Sequence, residues 1–176
     1  VASRWARLDA ALTHPHPVCG DATAAYVVAL AHAVREGDGP QAAFDAAFEW
    51  ARAEAVGPVR EALAMAQDMP PSSEGQDAGW VLVALQNAFY ELLHAPSLEQ
   101  GVVATVRRGG DAAANAAVTG ALLGAVHGRE AVPQQWRSLV LGCRPIPGAG
   151  PRPRPMECWA TDALELAEGL LLAGGA

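Results

Sequence analysis

Apolar residues recur at three- and four-residue spacing along most of this chain, and short Pro/Gly clusters interrupt them. That period is helical. The first residues, Val1-Ala2-Ser3-Arg4-Trp5, read like the middle of a helix. After the turn Thr13-His14-Pro15-His16-Pro17, Asp21 can cap a helix to about Glu36, which Gly37-Asp38-Gly39-Pro40 stops. A second helix, about Gln41 to Ala55, carries Phe44, Phe48 and Ala51 on one face. Gly57-Pro58 restarts the chain, with Pro near a first helical position, and a third helix runs to about Met69. Pro70-Pro71-Ser72-Ser73-Glu74-Gly75 breaks it.

The stretch from about Gly79 to His94 is apolar nearly all round, so it should be a central helix. Ser97 caps the next, with Gln100 at the capping-box position and an end near Arg108. Asp111 then caps a helix of small residues that includes Gly120 and Gly124. Gly inside a helix costs about 1 kcal/mol relative to Ala, so two on one face predict a close neighbouring backbone. Gly128 stops this helix, and Pro133 opens a short one through Trp136, Leu139 and Val140. Residues 144–157 form a loop, richest in Pro, Gly and Arg from Arg144 to Pro155, before a last amphipathic helix at about Thr161 to Leu172. Strand-like alternation and internal repeats are absent from the sequence. The expectation is an all-α fold, one helical domain over residues 1–176.

Composition sharpens this. Of 176 residues, 51% are hydrophobic and 18% charged, enough for a real core built from helix formers. The net charge is -7, and every basic residue is Arg. An acidic chain without a basic cluster is a poor nucleic-acid partner. The sequence reading also expects no apolar run near the ~20 residues of a membrane span. Cys19, Cys143 and Cys158 lack metal-like spacing and read as packed, reduced thiols of a cytoplasmic protein. A first residue that is not Met, inside a helical pattern, suggests a fragment, a processed chain or a trimmed one.

Several stretches together resemble the second half of the ADP-ribosylglycohydrolase family. They are Leu12-Thr13-His14-Pro15-His16-Pro17, Gly79-Trp80-Val81-Leu82-Val83-Ala84-Leu85-Gln86-Asn87-Ala88-Phe89-Tyr90, Gly109-Gly110-Asp111 with Asn115 through Ala125, and Val132-Pro133-Gln134-Gln135-Trp136. Pro153-Arg154-Pro155 followed by Trp159 also fits. The resemblance implies an all-α orthogonal bundle, a binuclear magnesium site and hydrolysis of the ribosyl bond of ADP-ribosylated substrates by Mg2+-activated water.

Two departures accompany it. The family pattern after Gly-Gly is Asp-Thr-Asp-Thr, whereas here Asp111 is followed by Ala112, Ala113 and Ala114. In the family the two Asp residues and the second Thr bind metal, so by resemblance only Asp111 remains a ligand. The family's first half, with its Thr-Asp-Asp-Thr segment and assisting acid, has no counterpart; Thr161-Asp162-Ala163 is the nearest string. Hard dications take several oxygen ligands, and a single Asp offers one or two. Mg2+ binding should therefore be weak or lost and the chain alone inactive or impaired. Asp111 reads first as a helix cap in this chain. The alanines fit either natural decay or deliberate replacement.

The resemblance places His14 toward the ADP-ribose, while a turn His bonded to a neighbour is the plainer reading. Gln76, Gly79 and Trp80 could line the nucleotide side, with the indole stacking on a base, while a core residue at the entry of the central helix is the plainer reading of Trp80. Asn115, one turn past Asp111, could aim its amide at the site. Gln86 and Asn87 read as satisfied buried amides. His14 with His16 offers too few ligands for a transition metal. Cys19 lacks the partners of a nucleophile, and Arg152 and Arg154 read as solvated. Two functions remain open: a hydrolase portion completed by a missing N-terminal half or a partner chain, and a non-catalytic module that binds ADP-ribose or an ADP-ribosylated protein. A half-fold would also expose an apolar face and self-associate, as a homo-oligomer, or take a partner.

Overall fold

The computed structural model describes residues 1–72, 78–148 and 152–174. Among these the regular structure is helical throughout, as the spacing predicts. Two compact units divide the chain, Val1–Ala131 and Val132–Ala176.

The first unit holds α1 (Ala2–Ala11), α2 (Pro17–Glu36), α3 (Pro40–Glu54), α4 (Gly57–Met65), α5 (Val81–His94), α6 (Leu98–Arg108) and α7 (Ala112–His127). The central position expected of α5 is observed: it packs on α2, α3, α4, α6 and α7. Phe44, Leu63, Phe89, Leu92, Leu122 and Leu123 fill the core. Phe44 stacks on Phe48 at 5.4 Å and meets Phe89 edge-on at 5.9 Å.

Several local expectations need correction. α2 begins at Pro17, not at Asp21, because proline's fixed φ and missing N–H suit a first helical position. His16 is its cap, with Nδ1 accepting from the Val18 N–H at 3.3 Å. Asp21 lies one turn inside and is buried. It accepts from Arg7 Nε and from the Val56 N–H, both at 2.8 Å, and so ties α1, α2 and the entry of α4 together. α4 ends at Met65 and continues as turns rather than helix toward Met69.

The tight helix contact also falls elsewhere than expected. A Cβ on Gly120 or Gly124 would meet only side chains of α6, Val102 at 3.4 Å and Leu98 at 3.9 Å. On Gly101 it would lie 2.6 Å from Leu123 Cδ1 and 3.0 Å from Ala95 Cβ. Finally, α2 is long and apolar enough to cross a membrane by length and composition, contrary to the sequence expectation, with 44% of that window buried inside the fold. Its hydropathy comes from Ala and Val, and Ala22, Ala24, Ala25, Ala29 and Ala33 are core residues.

The second unit contains α8 (Gln134–Leu141), two short 3-10 turns and α9 (Ala163–Gly174). Its loop is bonded internally: Arg154 N–H donates to Pro145 O at 2.8 Å and Trp159 Nε1 to Arg154 O at 3.0 Å. Arg144 lies 5.7 Å over the Trp159 ring. The three cysteines are free thiols, but Cys143 and Cys158 are exposed; only Cys19 is packed as expected.

Candidate functional site

The turn between α1 and α2 and the start of α5 enclose a groove of ≈350 Å3. It forms because α1 folds back on α2, a packing locked by the Arg7–Asp21 pair, while α5 begins just beyond Trp80. His14 and Trp80 both line it, with Thr13, Cys19 and Gly79. The His14 ring is exposed and its Nδ1 is held by Thr13 Oγ1 at 2.8 Å. Trp80, 38% exposed, meets the His16 ring in a T-shaped contact, with centroids 5.6 Å apart. His16 therefore caps α2 and braces Trp80 rather than forming part of a metal pair with His14.

Thr23 and Val81 continue the groove into an apolar recess of ≈250 Å3 bounded by Ala22, Tyr26, Leu85 and Val118. Tyr26 O–H donates to Val118 O at 2.8 Å, and burial pushes its pKa up to about 12. Thr23 and Asp9 were not among the residues singled out from the sequence; their only signal is one turn's distance from Cys19 and Thr13.

Asp111 and Asn115 sit apart from that lining, at the start of α7. Asn115 is 5% exposed, and its backbone N–H donates to Asp111 O at 2.9 Å. Asp111 is exposed and uses its carboxylate to cap α7, accepting from the Ala114 N–H at 3.4 Å. Gln76 lies outside the described residues.

A buried polar network fixes α7 against α5 and α6. Asn87 Nδ2 donates to Thr105 Oγ1 at 2.9 Å and to Thr119 Oγ1 at 2.8 Å, and its Oδ1 accepts from Arg108. Arg108 also donates to Glu91 at 2.8 Å. Asn87 is thus the satisfied buried amide the sequence suggested, and so is Gln86, which donates to Met69 O at 3.0 Å.

This donor set does not fit a magnesium pair. Among the described residues no three His, Cys, Asp or Glu side chains cluster in a metal-holding arrangement. At the start of α7 the one carboxylate is followed by three alanines that supply no oxygen ligand from their side chains, and the positive helix end disfavours a dication.

The ADP-ribosylglycohydrolase family model matches residues 1–173, and the chain belongs to that family. No curated protein and no solved structure matches it significantly.

Proposed function

We propose that the chain holds an ADP-ribosyl group in the His14–Trp80 groove and does not by itself carry out the metal-assisted cleavage of its family. The observation that carries this reading is the start of α7, where Asp111 is committed to a cap and Ala112, Ala113 and Ala114 supply no ligand. The groove supports the binding half: a pinned imidazole at the rim and a half-exposed indole suited to a flat base. Three free thiols agree with a cytoplasmic setting.

Calorimetry with ADP-ribose, with and without Mg2+, tests it. Binding should be saturable and unchanged by Mg2+, and no ADP-ribose should be released from a modified protein. A tenfold or greater tightening by Mg2+, or turnover, would overturn the reading.

A second reading, a hydrolase portion completed by ligands from another segment or chain, is favoured by the family match over residues 1–173. Association with a second chain belongs to it, and the exposed α1 stripe Trp5, Leu8 and Leu12 supports that. Light scattering that finds only monomer over a wide concentration range would count against it.

A further inference from the structure

A second groove, of ≈840 Å3, opens between α5 and α6 at the far end of α5 from Trp80. At ~1.5 Å per residue, Val81 of the first groove and Tyr90 of the second lie about 13.5 Å apart along the helix. The proposed ligand does not use it.

One wall is aromatic. Tyr90 and His94 are four residues apart on α5, with ring centroids at 4.4 Å. His94 Nε2 bonds the Gln67 carbonyl at 2.9 Å; because a carbonyl only accepts, this nitrogen carries the proton and the ring is held.

The facing wall is Glu99, Val103 and Arg107, at four-residue spacing on α6 and so on one face. Glu99 and Arg107 are exposed, and neither forms an ion pair among the described residues. Eight helical residues put about 12 Å between them. The adjoining Arg108 is already engaged by Glu91 and Asn87. The groove therefore offers one anion at one end, one cation at the other, and Val103 with the two rings between.

We propose that this groove docks an extended peptide segment with opposite charges four residues apart and an apolar residue midway. An extended chain rises about 3.3 Å per residue, so four residues span the 12 Å separation. Alternate residues of such a chain share a face, so both charges and the middle apolar side chain reach the groove together. A small anion would satisfy Arg107 and leave Glu99 repelling it. Two exposed charge pairs contribute little each, so docking is weak and weakens further with salt.

The test is an NMR titration of the isotope-labelled full chain with the blocked peptide Glu-Thr-Val-Thr-Lys, whose β-branched residues favour extension. Saturable shifts should be confined to residues 90–108. Arg107→Glu should weaken this peptide about tenfold, and Glu99→Arg should shift preference to Glu-Thr-Val-Thr-Glu by about fivefold. An equal response to Gln-Thr-Val-Thr-Gln, no saturable shift, or the same shifts from inorganic phosphate or AMP would each overturn the proposal. The wild-type comparison of charged and uncharged peptides decides it even if a variant unfolds. Failure here leaves the ADP-ribosyl reading untouched, because the grooves share no residue.

Discussion

Arg108 donates to Glu91 at 2.8 Å across the α5–α6 seam, and only 5% of the Glu91 side chain meets solvent. Removing one partner leaves an uncompensated buried charge, which costs about 3–5 kcal/mol. Arg108→Met should therefore lower unfolding free energy by that order in urea denaturation. The double variant Glu91→Leu/Arg108→Met should recover much of it, since a well-packed apolar pair replaces a buried ion pair at little net loss. A double variant as unstable as Arg108→Met would show that the pair is not the source.

Gly101 and Gly120 should respond oppositely to alanine. Ala normally gains about 1 kcal/mol over Gly in a helix. At Gly120 the new methyl meets Val102 at 3.4 Å, so most of that gain should appear as a raised melting temperature. At Gly101 it would lie 3.0 Å from Ala95 Cβ and 2.6 Å from Leu123 Cδ1. Leu123 can rotate, but Ala95 cannot. Overpacking of this kind costs about 1–3 kcal/mol, so Gly101→Ala should be net destabilising.

These two glycines mark where the sequence was legible. α5, α6 and α7 could be read because their apolar spacing is long and Ser97 and Asp111 cap the latter two. Gly101 carries no local sign of its neighbours, which arrive from Leu123 and Ala95 through the fold. Asp21 misled for the same reason: a capping residue by type, it is buried mid-helix because Arg7 and the Val56 N–H satisfy it from other elements. At the site, His14 and Trp80 were visible as candidates through their motifs. That they line one groove while Asp111 and Asn115 lie elsewhere depends on helix packing.

Tyr26 makes stability fall at high pH. Its pKa is raised from 10.0 to about 12 by burial, so the unfolded chain loses the phenol proton first. The stabilisation is fully present below pH 10 and is lost as pH rises toward 12. The loss is on the order of 2 kcal/mol. Tyr26→Phe should flatten the fall across that window, at a neutral-pH cost of about 1 kcal/mol for the lost bond to Val118. An unchanged alkaline slope would assign the effect to another group.

The alanines after Asp111 occupy the first three positions of α7, where the helix dipole favours negative charge. Ala113→Asp alone should therefore stabilise the metal-free chain by about 0.3–1 kcal/mol, a gain that added salt reduces. A metal response needs more than charge, because hard dications take an array of oxygens. Ala112→Thr/Ala113→Asp/Ala114→Thr adds two hydroxyls and a carboxylate next to Asp111. This triple variant should show a saturable rise in melting temperature with Mg2+ that the parent chain lacks. If the parent shows the same rise, Asp111 is not acting only as a cap, and ligands from elsewhere in the chain complete a metal site.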